Sequence, residues 1–149
     1  MENESSVRDI LNETGKYTSL TSGRSMWPLL HHQKDNIIVT RPEGRLKRLD
    51  IALYENGGKY ILHRVIEVHD DHYIIIGDNC IKKEYVTDDM ICGVLAGFYK
   101  NGKHYIDCRN GRLQKLYARF WTSLYPVRPA ILFSERVAGK IKRMFKGKA

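Results

Sequence analysis

The stretch KYILHRVIEVHDDHYIIIG, residues 59–77, has the pattern of two β-strands joined by a tight turn. Both halves are rich in aliphatic and aromatic residues, which favour strands. Asp70-Asp71 lies between the halves, at the place where a short turn joins the two strands of a hairpin. The hairpin predicts that the middle of the chain is a β domain.

Four further runs of this kind surround the hairpin and are separated by turn sequences such as PEG, NGG and NG. They are residues 16–22, 35–40, 50–55 and 90–100. We therefore predict a mainly β fold, built as a coiled sheet or a partly open β-barrel. A short helix is expected over residues 4–14, because Val7, Ile10 and Leu11 recur on one helical face.

Residues 109–149 differ from the rest of the chain in charge, with eleven basic residues against one acid, Glu135. Within this region apolar residues recur at helical spacing, which predicts a stripe packed against the β domain. The stripe consists of Leu113, Leu116, Tyr117, Phe120, Trp121 and Leu124. We therefore divide the chain into a β domain with its N-terminal helix, residues 1–108, and a basic extension of amphipathic helices, residues 109–149.

Composition favours a reducing compartment. The chain has 149 residues, enough to bury a core without disulfides or bound metals, and its three cysteines form no CxxC pair. No run approaches the ~20 apolar residues of a membrane span, and the N-terminus lacks the apolar segment of a signal peptide. We expect a cytoplasmic protein that needs no metal or cofactor, since His31-His32 and the HDDH sequence at 69–72 are poor metal-ligand patterns.

Three residues combine into a candidate catalytic set. Ser25 lies in the sequence SGRSMWPLL, residues 22–30, His63 lies in the middle of a predicted strand, and Asp78 follows Gly77 at the end of the next strand. Each has an ordinary structural role, as a turn serine, a core histidine and a turn aspartate. The functional interpretation depends on their occurring together and in this order.

That order resembles the type I signal peptidases, which share a superfamily with the self-cleaving SOS repressors. The similar sequences are Ser-Met-Xaa-Pro at 25–28, His-Arg-Val at 63–65 and Gly-Asp-Asn at 77–79, and the resemblance covers about residues 18–98. It implies a mostly β fold and hydrolysis of peptide bonds without a metal or cofactor. Bacterial members use a lysine base where this chain has His63, which is similar to the endoplasmic-reticulum-type and archaeal branch.

Peptide hydrolysis by a serine nucleophile requires the same three residue types: a serine, a base and a carboxylate that orients the base. A serine hydroxyl needs a base to remove its proton, and imidazole, with an ordinary pKa near 6.5, can do this at neutral pH. We therefore expect Ser25 to be the nucleophile and His63 the base. Asp78 is our choice for the carboxylate that orients the imidazole, as in other serine triads. Three other acidic residues are close enough in sequence to take that role instead: Glu84, Asp88 and Asp89.

The chain departs from the family pattern in two places. Many members carry a serine two residues before the nucleophile, and this chain has Gly23 there, with Arg24 next to it. We therefore expect the Ser25 backbone N–H to stabilise the oxyanion, with Ser22 as a candidate helper. The second departure is the lack of an N-terminal transmembrane anchor, which puts the family's usual role in secretion in doubt.

Two hypotheses of different classes follow. The first is a serine endopeptidase that trims a leader or signal-like segment from a small precursor peptide. The second is a self-cleaving or non-catalytic regulator related to the SOS repressors, binding nucleic acid through the basic C-terminal region. The regulator would need an N-terminal helix-turn-helix, for which the first 17 residues are too short, and a lysine at the position of His63. We therefore favour the peptidase. A degenerate peptidase fold that serves as a binding module is a third, weaker alternative.

The C-terminal tail, ERVAGKIKRMFKGKA, is a candidate contact to the inner face of a membrane. Its apolar residues share one helical face and its basic residues flank them, which is the pattern of a basic amphipathic helix at a lipid interface. The apolar face consists of Val137, Ile141, Met144 and Phe145. Nucleic acid is the less favoured partner, because no aromatic residues alternate with the basic residues of the last run.

Overall fold

The computed structural model describes residues 6–146, in which eight strands form one antiparallel sheet. The helices are α1 (Val7–Thr14), α2 (Arg112–Ser123) and α3 (Arg128–Lys146), with 3-10 turns at Asp88–Met90 and Tyr125–Val127. The strands are β1 (Lys16–Leu20), β2 (Asn36–Thr40), β3 (Ile51–Asn56), β4 (Lys59–Val68), β5 (His72–Ile76), β6 (Glu84–Thr87), β7 (Ile91–Lys100) and β8 (His104–Asp107).

The sheet has the strand order β1-β2-β7-β3-β4-β5-β6, and β8 pairs with β7 beside this path. The prediction of a mainly β fold is confirmed, and all six predicted strands form. The sheet is not closed into a barrel, because β1 and β6 lie at its two ends. The strands β6 and β8 were not predicted from the sequence, since each has only four residues and lacks an aliphatic run.

The expected N-terminal helix forms and is capped at both ends. The Ser6 hydroxyl accepts a hydrogen bond from the Asp9 N–H, and the Asp9 carboxylate accepts one from the Ser6 N–H. This reciprocal capping box satisfies two backbone donors that the helix would otherwise leave unpaired. Gly15 ends α1 in the left-handed region, with φ of 73°, and Leu11 is completely buried beneath the helix. The first two residues of the predicted helix, 4 and 5, lie outside the described residues.

The sheet carries a hydrophobic cluster on each of its faces. Alternate residues of β3 enter different clusters, because successive side chains of a strand point to opposite faces. Ile51 and Leu53 join the cluster that contains Leu11 of α1, and Ala52 and Tyr54 join the other. This two-sided burial makes β3 and β4 the centre of the domain and gives their side chains fixed positions.

The α2 helix packs on the β domain with only part of the predicted stripe. Gln114 and Ala118 are buried against the domain, with Tyr117 and Trp121 half-buried beside them. The prediction that the whole stripe faces the core is wrong for three residues that are largely exposed: Leu113, Leu116 and Phe120. Helical periodicity shows that these side chains share a side of the helix, and the tertiary packing decides which side is covered.

None of the described helices is sufficiently long and apolar to cross a lipid bilayer.

Candidate active site

Ser25 lies in a turn between β1 and β2 that is fixed from two sides. Met26, the next residue, is 5% exposed and is anchored in the cluster beneath α1. From the other side, the Asn79 backbone N–H donates to the Ser25 carbonyl over 2.7 Å, and Asn79 Nδ2 donates to the Arg24 carbonyl over 3.0 Å. The Gly-Asp-Asn segment therefore holds the serine turn in place.

Both hydrogen-bond donors of Ser25 are free in the part of the chain that the structure describes. Within residues 6–146, neither its hydroxyl nor its backbone N–H makes a hydrogen bond. A free N–H beside a serine nucleophile is the type of donor that stabilises a developing oxyanion. Ser22 lines the same cavity as Ser25, which keeps its hydroxyl a candidate second donor.

His63 lies on β4 opposite Ala52 of β3 and is 8% exposed. Its Nδ1 atom is 2.8 Å from Glu84 Oε2. Because an ionised carboxylate only accepts hydrogen bonds, this contact places the imidazole proton on Nδ1. The Nε2 atom then keeps its lone pair, which is the form that a general base requires.

Gly77 brings the Ser25 turn and His63 together. A Cβ atom added to Gly77 would lie 2.7 Å from the Ser25 carbonyl oxygen and 3.0 Å from His63 Nε2. Both groups therefore surround one small space that stays open because residue 77 has no side chain. His63 Nε2 and the serine turn approach each other across this glycine.

Tyr54 completes the support of the histidine. Its hydroxyl donates to Glu84 Oε2 and lies 3.2 Å from His63 Nδ1. Burial, and next the hydrogen bond to Glu84, raise the pKa of Tyr54 well above its ordinary value. The phenol therefore stays protonated at neutral pH and donates to the carboxylate that faces His63. Nothing in the sequence singled out Tyr54, because a tyrosine in a strand is ordinarily a packing residue.

The strand register explains why Glu84 reaches His63. Glu84 pairs with Ile75 of β5, and Ile75 pairs with Val65 of β4, two residues from His63. Paired residues of antiparallel strands share a face, and so do residues two apart on one strand. The carboxylate and the imidazole are therefore on one face of the sheet. The sequence signal that could have favoured Glu84 over the other acidic candidates is the short strand EYVT that it begins.

Asp78 does not contact His63, and our assignment of it as the orienting carboxylate is corrected. Both of its oxygens accept hydrogen bonds from Arg64, from Nε over 2.8 Å and from Nη2 over 2.7 Å. The Asp78 side chain is 0% exposed and the Arg64 side chain is 2% exposed. Desolvation is the largest single effect and lowers the pKa of Arg64, but the charge of Asp78 and its hydrogen bonds together raise the net pKa. Asp78 is therefore half of a buried ion pair.

Alternation along β4 is the physical reason for this arrangement. Arg64 follows His63 directly, so their side chains point to opposite faces of the sheet. Arg64 pairs with Ile76 of β5, and Asp78 lies two residues beyond Ile76. The backbone thus carries Asp78 to the face of Arg64 and away from the face of His63.

The other two acidic candidates also have different partners. The Asp88 carboxylate accepts a hydrogen bond from the Tyr73 hydroxyl and forms an ion pair with Arg45. The Asp89 carboxylate accepts a hydrogen bond from the Thr87 hydroxyl. Of the four carboxylates considered, Glu84 is the one in contact with His63.

The C-terminal helices help to hold the loop that carries Asp78. Trp121 Nε1 of α2 donates to the Asp78 carbonyl over 2.9 Å, and Arg128 Nη1 of α3 donates to the Gly77 carbonyl over 3.4 Å. The Tyr117 hydroxyl is a third contact, 3.4 Å from Asp78 Oδ2. The basic extension is therefore part of the scaffold behind the site.

A cavity of about 340 Å³ opens beside Ser25. It is mostly apolar and is bounded mainly by residues of β1, the serine turn and the first half of β4. The lining includes Tyr17, Leu20, Leu53, Tyr60 and Leu62. Its size and apolar walls suit one or more side chains of a bound peptide.

The histidines that we weighed as metal ligands have other contacts. His31 Nδ1 is 3.4 Å from the Asp35 carboxylate, and the His69 and His72 rings stack with centroids 4.4 Å apart. Within residues 6–146, no group of three or more His, Cys, Asp or Glu side chains is placed to hold a metal ion.

Replacing Gly77 with Ala is expected to lower kcat/KM by roughly 100-fold or more, because displacement of catalytic groups by about 1 Å has effects of this size. The added methyl group must push aside the Ser25 carbonyl, Cys80 Sγ or His63 Nε2, all within 3.0 Å of it. The control is Gly139→Ala in α3, where nothing lies within 4 Å of the added atom. Equal activity of the two variants would show that Gly77 does not join the serine turn to the histidine.

Replacing Tyr54 with Phe is expected to lower kcat/KM by about 10-fold, the scale of one hydrogen bond to a charged group. The change leaves Glu84 Oε2 without the phenol hydrogen bond, so the carboxylate that faces His63 is less firmly positioned. Tyr73→Phe is a matched control, because it removes the hydroxyl of an equally buried tyrosine bonded to Asp88. Equal loss of activity in Tyr54→Phe and Tyr73→Phe would make Tyr54 a packing residue only.

The sequence matches no model of a protein family and none of the curated proteins with which it was compared.

Proposed function

We propose that this protein is a serine endopeptidase in which Ser25 is the nucleophile, His63 the general base and Glu84 the orienting carboxylate. The observation that carries the proposal is the placement of His63, with Nδ1 bonded to Glu84 and Nε2 beside the serine turn at Gly77. A serine, an imidazole and a carboxylate linked in this order form the arrangement that activates a hydroxyl for acyl transfer.

The reaction begins when Ser25 Oγ attacks the scissile carbonyl carbon and its proton moves to His63 Nε2. Glu84 stabilises the imidazolium that forms, and the Ser25 backbone N–H donates to the oxyanion. Collapse of the tetrahedral intermediate breaks the C–N bond, and Nε2 returns the proton to the leaving amine. A water molecule, deprotonated by Nε2, then attacks the acyl-enzyme ester, the ester C–O bond breaks, and Nε2 returns the proton to Ser25 Oγ.

A peptide substrate suits the surroundings of Ser25. The strand β1 ends the sheet and contributes residues to the cavity, so an extended peptide could pair along its backbone while placing a side chain in the cavity. We propose that the substrate is a small precursor peptide from which a leader or signal-like segment is removed. We further propose a signal-peptidase-like fold. The mainly β architecture and the three similar sequences, at residues 25–28, 63–65 and 77–79, support this proposal.

We also propose that the protein acts in the cytoplasm. Its three cysteines, Cys80, Cys92 and Cys108, are free thiols, as is usual in a reducing compartment. Burial raises the pKa of the Cys108 thiol to about 12, so this thiol stays protonated and unreactive at neutral pH.

The test is digestion of a diverse library of synthetic peptides, with cleavage products read by mass spectrometry. Purified protein and its Ser25→Ala variant are incubated side by side at equal concentration. We expect a recurrent set of cleavage sites with the native protein and none of these with the variant. The same products from both preparations would reveal a contaminating protease, and no products from either would contradict the proposed activity.

A further inference from the structure

We propose that the exposed apolar faces of α2 and α3, together with the basic side chains beside them, bind the surface of an anionic lipid membrane. This proposal is independent of the peptidase reaction, because it concerns residues outside the site. The observations that carry it are the exposure of large apolar side chains on both helices and the sign of the charge around them.

The α2 helix uses opposite sides for two different contacts. Gln114 and Ala118 face the β domain, whereas Leu113, Leu116 and Phe120 are 83%, 62% and 63% exposed. The spacing of these three residues, i, i+3 and i+7, puts them on one face. The basic residues of the helix are exposed and share an adjoining face: Arg112, Lys115 and Arg119.

The α3 helix repeats this pattern over a longer stretch. Arg128 and Leu132 near its start are buried, but from residue 133 to 145 every side chain that the helix carries is exposed. Phe133, Val137, Ile141, Met144 and Phe145 form the apolar face, and Phe133, Met144 and Phe145 are the most exposed of these. This face contains the four apolar residues predicted for the tail, and Phe133 extends it toward the start of the helix. Lys148 lies outside the described residues.

The charge of this region fits a negatively charged partner. Residues 112–146 contain nine basic residues and a single acid, Glu135. A basic residue near an anionic bilayer strengthens binding about fivefold, since each contributes roughly 1 kcal/mol. The same surface would repel a second copy of this chain, because both copies would bring positive charge to the contact.

Exposed aliphatic side chains favour a lipid partner over nucleic acid. A lipid interface accepts leucine, phenylalanine and methionine among its acyl chains while its headgroups meet lysine and arginine. Nucleic acid attracts the same cations but has no comparable place for aliphatic side chains, and it binds aromatic residues by stacking on bases. The combination of aliphatic and cationic side chains therefore matches an anionic membrane surface.

The test is cosedimentation of the full-length chain with vesicles of phosphatidylcholine alone and of phosphatidylcholine mixed with phosphatidylglycerol. We expect binding to the mixed vesicles that weakens at high salt, and at least 100-fold weaker binding to phosphatidylcholine. The variant Arg136→Gln/Lys140→Gln/Arg143→Gln should bind the mixed vesicles roughly 100-fold more weakly. The variant Leu116→Ser/Phe120→Ser should lose about 10-fold or more, because it removes apolar surface.

A matched control changes exposed apolar residues elsewhere on the surface. Val68→Ser/Tyr99→Ser alters residues that are 41% and 40% exposed and should bind the mixed vesicles as the native protein does. No binding to the mixed vesicles at low salt, or equal binding of all variants, would overturn the proposal. It would also fail if the chain retained a DNA or RNA duplex but no vesicles, or if Leu116→Ser/Phe120→Ser dispersed a dimer seen by analytical ultracentrifugation.

Discussion

Replacing Ser25 with Ala, or His63 with Ala, is expected to abolish peptide cleavage, with kcat reduced by roughly 10⁵- to 10⁶-fold. Loss of the hydroxyl removes the nucleophile, and loss of the imidazole leaves a hydroxyl that is rarely deprotonated at neutral pH. Both side chains act in one step, so the double variant should be no slower than either single variant. The kinetics of a peptide identified from the library measure this directly.

The Glu84→Gln variant extends this test to the third residue. An amide cannot stabilise the imidazolium and can present its own N–H to Nδ1, so kcat should fall by about 10⁴-fold. Thermal unfolding should show that the Ser25 and Glu84 variants remain folded, since Ser25 is partly exposed and Glu84 is 24% exposed at its side chain. Full activity of Glu84→Gln would contradict the role given to this residue.

Replacing Asp78 with Asn is expected to destabilise the fold by about 3–5 kcal/mol in the free energy of unfolding, because it strands the buried charge of Arg64. The Asp78 side chain is completely buried and pairs with Arg64 through both oxygens. Arg64→Gln should have an effect of similar size for the reciprocal reason. The double variant should cost less than the sum of the two, since the partners share one interaction.

Urea denaturation followed by circular dichroism measures these free energies. Asp71→Asn is the control, because Asp71 pairs with His72 at the surface with 78% of its side chain exposed. That change should leave the free energy of unfolding within about 0.5 kcal/mol of the native value. If Asp78→Asn were as stable as the control but inactive, Asp78 would belong to the catalytic chemistry and not to the scaffold.

The sequence predicted most of the sheet because its strands are apolar and bounded by turn residues. The hairpin at residues 59–77 and the strand at 90–100 formed close to their expected limits. Ser25 and His63 were singled out as candidates from the Ser-Met-Xaa-Pro and His-Arg-Val sequences, and the structure places the Ser25 carbonyl and His63 Nε2 beside Gly77. These features depend on local pattern, which a single sequence contains.

The partner of His63 could not be predicted, because it depends on strand register. Asp78 and Glu84 are six residues apart and both follow β5, but they reach opposite faces of the sheet. Deciding between them requires knowing that residues 84–87 form a strand and that Glu84 pairs with Ile75. A four-residue strand with one buried side chain, Val86, gives too weak a pattern to be recognised.

The exposure of the α2 stripe was unpredictable for a related reason. Leu116 and Trp121 are both apolar and close in sequence, yet Trp121 donates to the Asp78 carbonyl and Leu116 is largely exposed. A helical pattern fixes which residues share a face, but the surface that covers this face is set by the β domain. The apolar face left exposed is the one that we propose for membrane binding.

The central claim is that Ser25 becomes covalently acylated with the help of His63. An activated ester of the acyl half of a cleaved library peptide is mixed with the protein, and the reaction is stopped with acid and digested with trypsin. We predict that mass spectrometry finds the acyl group on the peptide Ser25–Lys34 of the native protein, and that His63→Ala leaves this peptide unmodified. An acyl group on another residue, or equal acylation of the native protein and His63→Ala, would contradict the account.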